Sequence, residues 1–232
     1  MMRSPRALAL LVLAGVIAAP RSASAQEPPE AAAEEPGVPG FFRMDADEFG
    51  LSLWAGATHS IGPVQIYSDV VLNGALGQVD VGSQVVVGDL TLLLTVAPVF
   101  DFATQDMAAI VAPFLTTIFD HPRFYFESWF LITFASPFAD GAEDVIHTRN
   151  FALYKLDRIV WIGPQLELDY GMAEAHEVTS LPIGGQLSAG YGKDNRVSLF
   201  LGYETREQSD PTTGEPVDSD RLAGRITFVH LW

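Results

Sequence analysis

The chain has 232 residues, 48% of them apolar, with 13 Lys plus Arg against 29 Asp plus Glu and no cysteine. Such a length holds one domain, or two small ones, and a mean hydropathy of +0.21 beside a formal charge of -16 requires apolar and acidic groups to be segregated. The missing cysteine excludes disulfides, thiolate zinc sites, cysteine nucleophiles and a lipidated N-terminal cysteine; the acidity argues against nucleic acid, which needs a clustered basic surface to release counterions.

Arg3 and Arg6 precede an unbroken run of small or apolar residues from Ala7 to Ala19, and Ala23-Ser24-Ala25 follows as an A-x-A cleavage motif. Residues 1–25 therefore read as a secretory signal peptide; the run is shorter than the ~20 apolar residues needed to cross a bilayer as a helix. Its removal leaves 10 basic against 29 acidic residues. Residues 26–48 begin with QEPPEAAAEEPGVPG, where prolines at 28, 29, 36 and 39 forbid a long helix and little is available to bury. This stretch is expected to be a disordered leader, with folded structure starting between Phe41 and Phe49 and a barrel domain over 49–232.

Beyond it the apolar residues recur with period two. Leu51, Leu53 and Ala55 alternate with Ser52, Trp54 and Gly56; Val64, Ile66, Ser68 and Val70 with Gln65, Tyr67 and Asp69; Phe124, Phe126, Ser128 and Phe130 with Arg123, Tyr125, Glu127 and Trp129. Leu166, Leu168 and Tyr170 alternate with Gln165, Glu167 and Asp169, and Val197, Leu199, Leu201 and Tyr203 with Arg196, Ser198, Glu204 and Arg206. These runs exceed the usual strand of about five or six residues and match the ~9 to 11 needed to cross a membrane as a tilted strand. The reading is an all-β protein, a transmembrane up-and-down antiparallel β-barrel.

The last segment alternates Leu222, Gly224, Ile226, Phe228, His230 and Trp232 with Ala223, Arg225, Thr227, Val229 and Leu231. Here the chain resembles Gram-negative outer-membrane β-barrel proteins, whose final strand ends in Phe or Trp after alternating hydrophobic residues; His230 departs from the usual aromatic or aliphatic residue. The resemblance implies an outer-membrane location, lipid and lipopolysaccharide as surroundings, and Phe228, His230 and Trp232 as the signal read by the barrel-assembly machinery.

Working back through the turns yields ten strands, near 49–60, 63–73, 85–101, 108–119, 122–135, 146–156, 158–171, 182–192, 195–206 and 221–232, with eight or twelve as alternatives. Residues 60–63, 102–107, 136–145, 172–181 and 207–220 are expected on the outer side, and 74–84, 120–122, 157–158 and 192–195 on the inner side with both termini. Two stretches are ambiguous. Residues 108–119 are apolar on both faces and fit a helix as well, and 74–84 could hide a strand through Val79 and Val81.

Parity places Gln65, Tyr67, Asp69, Arg123, Tyr125, Glu127, Gln165, Glu167, Asp169, Gln186, Arg196, Glu204 and Arg206 on lumen faces, lining a narrow passage or filling the barrel as an ion-paired plug; the plug is preferred because both charges recur on neighbouring strands. His59, His147 and His176 fall near the outer rim without a serine arrangement to form a catalytic site. No catalytic residue, metal site or cofactor is indicated. The expected function is a small channel or transport-associated barrel, then a structural or adhesive barrel with acidic ligand-binding loops, with an outer-membrane hydrolase last; the ligand is not specified by any motif.

Overall fold

The computed structural model describes residues 38–47, 50–62, 64–136, 143–172, 178–192, 195–209, 216–218 and 220–232, with side chains at all of these except 206–209 and 216–218. Among the described residues the strands are β1 Gly40–Asp47, β2 Gly50–Ile61, β3 Val64–Asn73, β4 Leu76–Val87, β5 Leu90–Asp101, β6 Asp106–His121 and β7 Phe124–Ala135. They continue as β8 Val145–Lys155, β9 Val160–Gly171, β10 Val178–Tyr191, β11 Asn195–Ser209, β12 Pro216–Asp218 and β13 Arg221–Leu231. Each of β1 to β11 pairs antiparallel with the next, β11 pairs with β13, and β13 pairs with β1, so the sheet closes into a barrel of twelve strands. The short β12 pairs only with the far end of β11. Closure leaves no open sheet edge whose backbone groups would need water.

The up-and-down antiparallel barrel agrees with the sequence, and twelve strands is one of its two alternatives to ten. One extra strand is β1, whose residues fall inside the segment expected to be disordered. Its register puts Phe41, Arg43, Asp45 and Asp47 on one face and Phe42, Met44 and Ala46 on the other, and it joins β2 to β13. An eight-residue strand beside a proline-rich stretch has too few apolar residues to announce itself. The other extra strand is β4, within the presumed inner turn. Its lumen face is Gln78, Asp80, Gly82 and Gln84, so only Val79, Val81, Val85 and Val87 betray the alternation. Gly82 is required by closeness, because a Cβ there would lie 1.9 Å from the Leu94 carbonyl oxygen. Gly74, at φ 59°, opens a two-residue hairpin turn in the left-handed region.

These strands move two connections. Gly40 and Trp232 exchange backbone hydrogen bonds (3.2 and 3.1 Å), which defines a terminal end of the barrel. The turn after β2, expected on the outer side, lies at this end, and the turn after β3, expected on the inner side, lies at the opposite, loop end. His59 consequently moves from the expected outer rim towards the terminal end, on an exposed position. The expected strand 85–101 is the end of β4, a turn at Gly88 and Asp89, and β5. From residue 102 onward the connections alternate as expected. The 108–119 segment is strand β6, and its two-faced apolarity has a cause: its inward Ala109 and Val111 pack with Ala97 and Val99 of β5 in an apolar patch of the interior. In the turn after β8, the Asp157 carboxylate accepts hydrogen bonds from the backbone N–H groups of Ile159 and Val160, both 2.6 Å, which holds it below the ordinary carboxylate range. The ionised form that caps this turn therefore persists from neutral pH downward and is lost only as pH falls through that lowered value.

Outward positions carry Leu72, Val81, Leu94, Phe130, Ile162, Leu187 and Leu201, all exposed. Inward positions carry the buried polar residues. Because β1 bridges β13 and β2, deletion of residues 40–47 should abolish the heat-modifiable folded band on gels of membrane fractions. A folded band of normal yield would show that β13 can pair with β2 directly.

Candidate functional site: a charged septum across the lumen

Among the described residues the interior is built around four arginines. β1 supplies Arg43 and Asp45, β7 supplies Glu127, β8 Arg149, β9 Glu167, β11 Arg196 and β13 Arg225. Arg43 Nη1 donates to Glu127 Oε1 at 3.1 Å, while its Nε and Nη2 donate to the two oxygens of Asp45 at 3.3 and 3.2 Å. Strands β1 and β7 are six apart in a ring of twelve, so the Arg43–Glu127 contact spans the barrel from wall to opposite wall. Arg149 Nη1 donates to Asp45 Oδ2 at 2.9 Å and its Nε lies 3.4 Å from Glu167 Oε1. Arg196 Nη2 donates to Glu127 Oε2 at 3.3 Å, and Arg225 donates to Glu167 and, at 3.2 Å, to Asp47. Tyr125 and Trp129 donate to Glu127 at 2.5 and 2.8 Å.

Aromatic rings fill the gaps between these charges. The Arg43 guanidinium lies 4.4 Å from the Trp129 ring and 5.6 Å from Trp54, Arg149 lies 5.1 Å from Trp129, and Arg196 lies 4.4 Å from Tyr125. A planar, weakly hydrated guanidinium can stack and donate in its plane at once, which a lysine cannot. Arg43, Asp45, Glu127, Arg149 and Glu167 are each at most 6% exposed.

This layer separates two cavities. One of about 1060 Å³ lies towards the terminal end, with Arg43, Glu127 and Arg196 in its lining together with Trp54, Tyr67, Asp69, Trp129 and Trp161. The other, of about 320 Å³, is lined by Asp47, His147, Glu167, Asp169, Ser180, Glu204 and Arg225. The two share no lining residue.

The sequence-derived lumen residues do not all come together. Tyr125, Glu127, Glu167 and Arg196 belong to the septum, and buried Gln165 donates to Glu167 at 2.5 Å. Gln65, Tyr67 and Asp69 face inward on β3, and Asp169 is 2.5 Å from His147 Nδ1 on the loop-end side. Buried Gln186 faces inward on β10 and donates to Ser188 at 3.0 Å. Glu204 accepts from Ser180 (2.7 Å) and Arg221 (2.6 Å). The Arg206 backbone pairs with Ser180, and its side chain lies outside the described residues. Arg123 is a correction: β7 starts at Phe124, so Arg123 sits exposed in the preceding turn and takes no part in the interior. Arg196 and Glu204, both on β11, find their partners on other strands. Arg43, Asp45, Arg149 and Arg225 were missed: Arg149 and Arg225 sit at lumen parity within expected strands, whereas Arg43 and Asp45 lie on the short β1. The motif residues Phe228, His230 and Trp232 all lie on the outward face of β13 and its continuation, where Phe228 stacks with Tyr191 at 5.7 Å. His176 lies outside the described residues.

Neither a protein-family model nor a curated protein sequence matches the chain. Solved structures do. A NanC porin superposes with a TM-score of 0.50 at 10% identity, covering 84% of this chain and 100% of the porin. The fold is that of outer-membrane β-barrel proteins. A barrel from a study of in-meso crystallisation of membrane proteins gives 0.51 at 11% identity, covering 84% of each chain, and an outer-membrane channel from Pseudomonas putida F1 gives 0.49 at 8%, covering 90% of this chain and 100% of the channel.

Removing one partner of a buried pair leaves the other charge uncompensated, a loss of ~3 to 5 kcal/mol. Arg43→Ala should therefore lower the unfolding midpoint in detergent markedly, whereas Arg123→Ala in the exposed turn should stay within about 0.5 kcal/mol of the parent. Denaturant titration followed by tryptophan fluorescence reads both; equal midpoints would deny the septum its structural weight.

Proposed function

We propose that this protein is an outer-membrane channel, exported through its signal peptide, whose lumen is closed at rest by the arginine–carboxylate septum and whose vestibules open to either side of it. The observation that carries this reading is the pair of cavities on either side of a barrier made of charges rather than apolar packing. A barrel needing only a filled interior is served at least as well by hydrophobic residues, because buried ion pairs rarely exceed an apolar core in stability. A charged septum can exchange partners: Glu127 is held by both Arg43 and Arg196, and Asp45 by both Arg43 and Arg149. A small rearrangement of these guanidinium groups would join the two vestibules while keeping every carboxylate paired. The excess of acidic residues over the whole chain favours cations in the access region. In this reading no side chain acts as a catalyst, the exposed apolar wall faces lipid and lipopolysaccharide, and Phe228, His230 and Trp232 are read by the barrel-assembly machinery.

Planar-bilayer recording of the purified barrel tests the function. The parent should show small, infrequent cation-selective openings, and Arg149→Ala, which removes a bridge between Asp45 and Glu167, should raise open probability or conductance severalfold. Silence in both proteins would sink the channel reading in favour of a structural barrel. Assembly is tested separately: deletion of Trp232 should reduce the folded amount in cells while barrels refolded in detergent keep most of their stability, and unchanged membrane levels would deny the terminal strand its signalling role.

A further inference from the structure

Asp69 on β3 and Asp80 on β4 are direct cross-strand partners. Both face the barrel interior, Asp69 at 6% and Asp80 at 0% exposure. Their hydrogen-bond donors are neutral. The Tyr67 hydroxyl donates to Asp69 Oδ2; Gln78 Nε2 donates to both oxygens of Asp80 at 3.0 and 2.8 Å, and Thr95 Oγ1 donates to Asp80 Oδ1 at 3.3 Å. The remaining oxygen, Asp69 Oδ1, is buried with no partner.

No counter-charge stands against the pair among the described residues. From β2 the facing positions are Trp54, Gly56 and Thr58, and from β5 they are Leu93, Thr95 and Ala97, none of them titratable. On β3 and β4 themselves the other titratable group is Tyr67, which stacks on Phe41 of β1. Arg43, also on β1, gives its donors to Asp45 and Glu127. Two ionised carboxylates buried side by side in the wall, without a cation, repel each other and lose hydration. A single proton removes the repulsion and one of the two buried charges, and the protonated carboxyl can donate to the orphaned oxygen of its neighbour.

We propose that Asp69 and Asp80 form a proton-binding site in the lumen wall, holding one proton between them at neutral pH. Asp69 lines the larger vestibule, so the proton exchanges with solvent there. Release of the proton adds a second negative charge to the vestibule wall and strengthens its preference for cations as pH rises. That consequence for ion flow rests on the channel reading; the proton site itself does not.

The test is infrared spectroscopy of the full barrel folded in detergent in deuterated buffer. At neutral pH the parent should show the carbonyl stretch of a protonated carboxylic acid, with the amplitude of one group per chain. The band should vanish in Asp80→Asn and in Asp69→Asn, where an amide replaces the second charge and the remaining carboxylate ionises. A parent spectrum without the band overturns the proposal even if neither variant folds, as does a band that survives both substitutions. A band that appears only after sodium and potassium are dialysed away would assign the pair to a metal cation and also overturn it. In bilayers, cation selectivity should rise with pH in the parent and stay flat in Asp80→Asn. The infrared band without any current would uphold the proton site while refuting the channel.

Discussion

The interior depends on Arg43 reaching across the full width of the barrel to Glu127. A twelve-stranded barrel is too wide for its lumen to be filled by opposing side chains of ordinary length, so something long must bridge it. Arginine does this with a stem that packs along rings and a planar head that satisfies two carboxylates at once. Arg43 lies against Trp54 and Trp129 while holding Asp45 and Glu127, and Arg149 repeats the arrangement from the other side with Asp45, Glu167 and Trp129. Opposite charges are so evenly matched in this layer that the chain's large acidity is carried elsewhere.

The interior is not uniform around the ring. Between β5 and β6 it is apolar, with Ala97, Val99, Ala109 and Val111 closing the wall and Phe114 and Leu131 packed against them. Between β3 and β4 it is acidic without a basic partner among the described residues, and from β7 round the ring to β1 it is the ion-paired septum. This division leaves a vestibule at the terminal end whose wall carries arginine on one side and Asp69, backed by buried Asp80, on the other. On the outside the logic is simpler, since each inward residue fixes its two neighbours outward, and these are leucine, valine, isoleucine and phenylalanine along most strands.

Strands whose lumen face is polar and whose lipid face is bulky, such as β3, β7, β9 and β11, were legible because their alternation is strong in both phases. β4 was legible only as an alternative through Val79 and Val81, because its glycines, Asp80 and Ser83 are turn formers as well as strand residues, and only the closeness of Leu94 explains why Gly82 is there. β1 was hidden by its brevity, and with it went Arg43 and Asp45, the residues at the middle of the septum. The displaced first hairpin and the position of His59 follow from the same two omissions. Arg123 shows the opposite error: alternation ran one residue past the true strand start and promoted a turn residue to the interior.

The sequence by itself determined that the chain is an alternating, closed, membrane-type barrel, since period two, strand length and the terminal strand are properties of neighbouring residues. It also determined most inward-facing residues, because parity survives small errors in strand boundaries. Which charges meet was decided only by the tertiary structure. Glu127 is joined to Arg43 and Arg196 from strands far along the chain, and Asp69 meets Asp80 rather than a base. Those pairings depend on the number of strands and on register around the ring, and two strands beyond the ten of the preferred partition rotate every partner across the lumen to a different place.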